Sequence, residues 1–222
     1  MANADIDANA LVIDGHRRDC GACQLECVAC GYICPTAAIR PLTLAEKIGK
    51  GKFAGIGPIK LGTAFVDRAR CLPWAFDTPC IVCQENCPVS PKAIYTREVF
   101  APVVFNPLNV KNFRNDVIII LSEPALIADK FSNGDYYCQY VENGKSTRKK
   151  IISNTADTLK VPPDALLNSS YSYGPDIQIQ IRLLQPYIDP ALCIGCGICQ
   201  HECPVSGRGA VFVTPAGQTR EK

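Results

Sequence analysis

Cysteine is the residue in this chain whose number and spacing point to chemistry. Fourteen cysteines occur in 222 residues, and twelve of them sit in three compact runs. These are CQLECVACGYICP (Cys23 to Pro35), CLPWAFDTPCIVCQENCP (Cys71 to Pro88) and CIGCGICQHECP (Cys193 to Pro204). Each run closes on the same phrase, C-x2-C-x3-C-P. Run one leaves three residues between Cys23 and Cys27, and run two leaves eight between Cys71 and Cys80.

Run three is a full C-x2-C-x2-C-x3-C-P iron–sulfur signature. Each iron of a cubane [4Fe–4S] cluster takes one thiolate, and two-residue gaps let a curled loop aim successive cysteines at neighbouring corners of one cube. Gly195 and Gly197 suit such a loop, because glycine accepts positive φ and close backbone approach. Close approach also brings amide N–H groups to the sulfurs, where hydrogen bonds tune the potential. The x3 gap breaks the rhythm, and in two-cluster ferredoxins that fourth cysteine ligates the other cluster. The proline after it fixes φ and lacks a donor, which suits the first turn of a helix leaving the loop.

Two other uses of cysteine fit less well. A secreted disulfide scaffold spreads its cysteines along the chain, whereas these are clustered. Structural zinc uses C-x2-C pairs, but typically two pairs across a longer loop, and it needs four ligands in all.

The flanking residues predict the elements that must carry the runs. GTAFVDRARC before run two and IQIRLLQPYIDPALC before run three read as strands with a polar turn before the cysteine. After the Cys-Pro of each run, TAAIR, VSPKAIY and VSGRGAVFV read as a helical turn and then a short strand. Strand, cluster loop, helical turn and strand form half a ferredoxin, repeated along the chain.

With these residues in view, the chain resembles the multi-cluster ferredoxin subunits of respiratory complexes. It is similar to the iron–sulfur proteins of periplasmic nitrate reduction and of methylamine utilisation, and at greater distance to electron-transfer subunits of molybdenum oxidoreductases. The resemblance rests on DRARCLPWAFDTPCIVCQENCPVSPKAI (Asp67 to Ile94) and PYIDPALCIGCGICQHECPV (Pro186 to Val205). It implies four cysteine groups nested in pairs, the second with the third and the first with the fourth. Cys23, Cys27, Cys30 and Cys34 match the second group, Cys71, Cys80, Cys83 and Cys87 the third, and Cys193, Cys196, Cys199 and Cys203 the fourth. No first group stands before residue 20.

The resemblance thus implies one cluster on Cys23, Cys27, Cys30 and Cys87, and a second on Cys71, Cys80, Cys83 and Cys34. A third on Cys193, Cys196 and Cys199 still needs a ligand. Cys203 itself, Cys20, Cys138 and a partner chain remain open as its source. Cys20 is favoured over Cys138, and it is equally placed to displace Cys23 in the first cluster.

The fold class expected is α+β, with ferredoxin-like two-cluster units and an inserted mostly-β segment. The boundaries expected are 1–19 for an N-terminal extension, 20–98 for a two-cluster domain, 99–185 for the insertion and 186–222 for the third cluster motif and tail. Within the insertion, VIIIL (Val117 to Leu121) reads as a buried strand, SEPALIADKF as a short helix, and IQIQIR as a half-buried strand. DYYCQYVENGKSTRKKIISN reads as a hairpin turning at Asn143-Gly144. Cys138 reads as a packed thiol, and the basic run from Lys145 to Lys150 as a solvated hairpin tip. The glycine-rich stretch from Lys47 to Gly62 lacks the phosphate-loop pattern and reads as a surface loop. Trp74 is expected to shield a cluster from water, and His201 to be exposed.

Formal charge is +2 on 23 basic and 21 acidic residues, so no strong field favours nucleic acid or an anionic membrane. The longest aliphatic run is far shorter than the roughly 20 residues a bilayer span needs. The N-terminus has no basic and apolar signal pattern. Cytoplasmic location is expected from so many thiols, with a periplasmic one if the chain is a processed form. No nucleophile–base pair stands out. The expected function is a non-catalytic electron carrier with about three [4Fe–4S] clusters, set between a quinone- or flavin-linked donor and a catalytic redox partner. Its partners are then other redox subunits, one of them catalytic or membrane-bound. The competing readings are an iron–sulfur enzyme with a substrate-accessible cluster, and a cluster-stabilised assembly protein.

Overall fold

The computed structural model describes residues 26–114, 117–120, 126–142, 145–162 and 176–219. Cys20, Cys23, His16, the Asn143-Gly144 turn and Leu121 lie outside these residues. The fold is mixed, with short helices and antiparallel sheets. The chain divides into two units, one formed by residues up to Arg97 and from Leu184 onward, the other by Glu98–Leu183.

In the first unit, β1 (Thr63–Val66) pairs antiparallel with β10 (Val211–Thr214), with Ala64 opposite Val213 and Phe65 opposite Phe212. β-Branched and aromatic residues favour this pleated ribbon. Ala64, Val211 and Val213 point inward and are buried, while Phe65 and Phe212 stack on the outer face with centroids 6.2 Å apart. The inner face joins Cys83, Ala93, Ile94, Cys193 and Cys199 in one core. Cysteines thus provide part of the packing here, in keeping with their behaviour as small hydrophobes.

Each cysteine run has one short helix at its C-x3-C segment. These are α1 (Ala29–Ile33), α4 (Val82–Glu85) and α5 (Ile198–His201). Two further short helices are α2 (Leu44–Lys47), capped by the Thr43 hydroxyl accepting from the Glu46 N–H at 3.2 Å, and α3 (Leu72–Ala75). A single 3-10 turn, Gly51–Phe53, lies in the glycine-rich stretch expected to be a loop.

The helical turns were expected after each Cys-Pro, and the structure places them before it. The x3 gap holds one turn, from Cys30, Cys83 or Cys199 to the cysteine four residues on. Pro35, Pro88 and Pro204 therefore end these turns rather than starting new ones, as a residue without a donor must once a helix has run past it. The strand expected after run one is also absent, since residues 36–40 form turns and bends.

The second unit is β-structure. β2 (Ile94–Pro102), β9 (Gln178–Ile188), β5 (Tyr136–Glu142) and β6 (Lys145–Lys150) form one four-stranded sheet in that order, with β2 beginning and β9 ending in residues of the first unit. The other contains β3 (Val110–Arg114), β4 (Val117–Ile120), β8 (Thr158–Lys160) and β7 (Ser153–Asn154). The expected hairpin is β5–β6, with Glu142 opposite Lys145, and the expected VIIIL strand is β4. The helix expected at SEPALIADKF is not seen at residues 126–131, which form turns; residues 122–125 lie outside the described set. Leu159, Val161, Ile177, Ile179 and Cys138 are among the most buried members of this unit's core. Cys138 is the packed thiol expected: its Sγ lies 3.5 Å from the Lys149 carbonyl, and burial pushes it up to about 12.

Candidate iron–sulfur site

The β1–β10 ribbon decides which cysteines meet. β1 leads into run two, and β10 follows run three. Because the strands are antiparallel, the start of run two and the end of run three leave from the same end of the ribbon, at Val66 and Val211. The polar turn between β1 and Cys71 fixes this junction. Asp67 accepts from the Arg70 and Cys71 N–H groups through its carbonyl, and donates its own N–H to Ala210 O at 2.7 Å. Arg70 Nη2 donates to Ser206 O at 3.1 Å and to Arg208 O at 2.6 Å, tying the entry of run two to the exit of run three.

At the other end of the ribbon, Leu61 donates to Ile194 O at 2.8 Å, and Ala64 donates to Cys193 Sγ at 3.4 Å. The start of run three therefore lies beside the start of β1. Asp189, which precedes run three, donates to Ala93 O at 2.8 Å. That bond sets the entry of run three against the strand that follows run two. The two halves, β1–run two–β2 and β9–run three–β10, are thus interleaved, each lending its end to the other's beginning.

Two cavities follow from this arrangement. The first is lined by Cys71, Cys80, Cys83 and Cys203, with Leu72, Pro73, Pro186 and Val211 among its apolar walls. The second is lined by Cys193, Cys196, Cys199 and Cys87, with Ala64, Val89, Ile94 and Val213 among its walls. Counting their open mouths they measure about 320 and 340 Å³, so both can take the same kind of group. Each holds three cysteines of one run and the last cysteine of the other.

This pairing differs from the one that the resemblance implied. Cys87 was expected with run one, and it lines the run-three cavity. Run two was expected to take Cys34, and it has Cys203. The physical reason is the ribbon: the strand before run two pairs with the strand after run three, and no such pairing joins run one to run two among the described residues. The fourth cysteine beside Cys193, Cys196 and Cys199 is therefore Cys87, and Cys138 is not among the described residues lining that cavity.

The glycines of run three act as expected. Gly195 has φ +70° and a side-chain carbon there would lie 2.4 Å from the Gly62 nitrogen; Gly197 has φ +81° and precedes α5. Sulfur hydrogen bonds are also present: Cys193 Sγ accepts from Ala64, and Cys203 Sγ from Ala210 N–H at 3.3 Å. Gln200 is buried on α5, and its Oε1 accepts from Val213 N–H at 2.9 Å, anchoring the helix to β10.

Burial disfavours the charged form of these thiols. Burial raises Cys71 to about 11, with the Cys80 and Cys203 thiolates adding to the effect. Burial raises Cys83 to about 12, and Cys80, Cys71 and Cys203 push the same way. Cys199 is held well above its ordinary value by burial and then by Cys196, Cys193, Cys83 and Cys87. Giving up their protons inside apolar walls would take positive charge among the sulfurs, which the irons of a cluster would supply.

The thiols ring a space rather than meeting at a point. Among the described residues, no three His, Cys, Asp or Glu side chains come close enough to hold a single metal ion. Such a ring suits a cubane, whose irons each take a separate thiolate.

Run one is built differently. Cys27 and Cys30 are exposed, Cys34 is half-buried, and none of the three lines either cavity. Cys34 is lowered to about 7 by the Thr36 hydroxyl and then by the Ile39 backbone. Lys47 Nζ donates to the Cys27 carbonyl, linking run one to α2.

Trp74 lines neither of these two cavities. Its indole N–H reaches Pro186 O at 3.4 Å, and Pro186 forms the wall of the first one with Leu72 and Pro73. His201 is exposed beside Glu202, 2.9 Å from Nδ1 to Oε1. Sequence reasoning missed Arg70, whose clasp on the loop after Cys203 has no motif to announce it.

A family model for a 4Fe-4S binding domain matches residues 186–206, which run from the end of β9 through run three to Ser206. The match makes this segment a 4Fe–4S binding one and supports an iron–sulfur protein with an electron-transfer role. No curated protein and no solved structure matches the chain. No helix among the described residues is long and apolar enough to cross a membrane.

Proposed function

We propose that the chain is a non-catalytic electron carrier that relays single electrons through [4Fe–4S] clusters. One cluster takes Cys71, Cys80 and Cys83 with Cys203, and another takes Cys193, Cys196 and Cys199 with Cys87. The observation that carries this reading is the exchange of fourth cysteines between two cavities of nearly equal size. When bound, such clusters supply one-electron redox chemistry; the protein sets spacing, burial and sulfur hydrogen bonds.

A third cluster belongs on run one in this reading. Cys20, Cys23, Cys27, Cys30 and Cys34 offer five thiols for a group that needs four. The third cluster's remote-ligand question thus moves from run three to run one. The partners proposed are other redox subunits, one of them catalytic or membrane-bound, with a quinone- or flavin-linked donor.

Iron and acid-labile sulfide on anaerobically purified protein test the proposal, with EPR of the reduced form. About 12 irons per chain, at four per cubane, is the expected result. About eight would confine clusters to the two cavities, and fewer than about four would sink the reading.

A further inference from the structure

A row of aromatic rings crossed by two arginines lies beside the Cys71 cavity. Trp74 belongs to α3, whose Leu72 and Pro73 wall that cavity. Its ring meets Tyr187 edge-on at 5.4 Å between centroids, and Tyr187 stacks on Tyr95 at 5.7 Å. Arg68 lies 4.2 Å above the Trp74 ring and 5.7 Å from Tyr187. Arg97 lies 4.4 Å above Tyr187 and 5.8 Å from Tyr95.

Both arginines are exposed, as is Tyr95. Neither forms an ion pair with a carboxylate among the described residues. The neighbouring Arg70 spends its Nη2 on backbone carbonyls, so it brings no carboxylate to the patch either. Two planar cations therefore lie over rings, with no acid on their donor edges among the described residues.

We propose that this row is the docking surface for an acidic redox partner, which exchanges electrons with the cluster of the Cys71 cavity. The inference rests on the electron-carrier reading and adds the partner's chemistry and point of contact. A guanidinium edge recognises carboxylate in a bidentate fork. Stacking on aromatic faces fixes that fork beforehand, so less conformational freedom is lost on binding. Trp, Tyr and Arg are also the residues that dominate interface energies. With a net charge of only +2, attraction of an acidic surface depends on this local patch rather than on a field from the whole chain. The Trp74 hydrogen bond to the wall residue Pro186 puts the patch in direct contact with the lining of the cavity.

The probe is poly-L-glutamate, added to the intact cluster-loaded protein at low ionic strength. Trp74 is the sole tryptophan, so its fluorescence reports on the patch itself. Binding should weaken at least tenfold in the double variant Arg68→Gln/Arg97→Gln. It should be unchanged in Lys111→Gln/Lys145→Gln, which removes the same charge from two exposed lysines of the other unit. In a second readout, iron(III)-EDTA oxidises the dithionite-reduced protein, each electron withdrawn giving one iron(II)-EDTA. Bound poly-L-glutamate should slow this oxidation several-fold in the wild type and not in the arginine variant.

Equal binding by both double variants overturns the docking inference, as does binding that leaves the oxidation rate unchanged. In either case the electron-carrier reading stands, because the clusters still cycle. A chain with no reducible cluster sinks both.

Discussion

Ala64, in the strand ahead of run two, donates its backbone N–H to Cys193 Sγ of run three at 3.4 Å, across 129 positions of sequence. The bond lets a residue of one half adjust the electron density of a thiolate in the other, since hydrogen bonds to sulfur raise a cluster's potential. It also shows that neither half completes its own cavity. The two runs form one interdependent site.

That dependence predicts crossed losses. Cys203→Ser should remove the cluster held by run two, and Cys87→Ser the cluster held by run three. Each variant should lose about four irons, or convert a four-iron signal to a three-iron one, on the stoichiometry of a cubane. EPR of the two variants distinguishes the crossed pattern from a local one. Cys34→Ser should leave both signals intact, and a change in the run-two signal would restore the pairing implied by the family resemblance.

Gly195→Ala is expected to disturb run three, while Gly207→Ala is tolerated better. Both glycines have positive φ, at +70° and +73°. Left-handed strain alone costs about 1–3 kcal/mol at a non-glycine residue. At Gly195 the added carbon would also lie 2.4 Å from the Gly62 nitrogen, whereas at Gly207 the nearest atom is Arg70 Nη2 at 4.0 Å. Denaturant unfolding of the two variants, followed by visible absorbance, should show the larger loss at Gly195.

Arg70→Ala should loosen the same site from its other end. The side chain makes two hydrogen bonds to the 206–208 loop, and its buried Nε has no partner among the described residues. Hydrogen bonds from a charged donor are worth about 1.5–3 kcal/mol. Removing a positive charge beside Cys71 also disfavours the added electron, so the potential of the run-two cluster should fall. A redox titration in which Arg70→Ala leaves every potential unchanged would contradict that placement.

The cysteine spacings made the iron–sulfur loop of run three legible, because thiolate geometry leaves few alternatives for C-x2-C-x3-C-P. The flanking residues announced the strands around runs two and three but misled after run one. The pairing of runs was not legible. It depends on β1 meeting β10 nearly 150 positions later, and nothing within either run encodes that partnership. The direction of each Cys-Pro was misjudged for a local reason. Proline suits both the first helical turn and the residue after a helix, and only the one-turn x3 segment, capped at Asn86 and Glu202, decides between them. The Arg68–Trp74–Tyr187–Arg97 row was equally hidden, since its members come from four separate segments.

Cys138 should prove inert, as a thiol with no role in the clusters. It is fully buried and raised to about 12 by burial. The native protein should therefore resist alkylation at this position when iodoacetamide is applied at neutral pH. Cys138→Ser should keep the full iron content and lower stability by about 1–3 kcal/mol, the cost of a poorly satisfied buried hydroxyl. Loss of iron in this variant would reopen Cys138 as a ligand.

Asp135 gives the second unit a pH dependence of its own. Its Oδ2 accepts from Arg182 Nη2 at 2.6 Å and its Oδ1 from Lys150 Nζ at 3.0 Å. These partners, Arg182 first, hold the carboxyl below its ordinary value. A depressed folded value means that the ionised group stabilises the fold above the unfolded value of about 3.9, and that this contribution fades as pH falls through the folded value. Asp135→Asn should therefore lower the amide-exchange protection of β5 and β9 by a constant factor at pH 5 to 7, roughly the range above both values. The difference should close as pH falls through the depressed folded value, where the wild-type carboxyl is protonated as well. Comparing the two proteins at each pH cancels the intrinsic pH dependence of exchange. A gap that stays constant down to the lowest pH would show that shape, and not charge, is what Asp135 contributes.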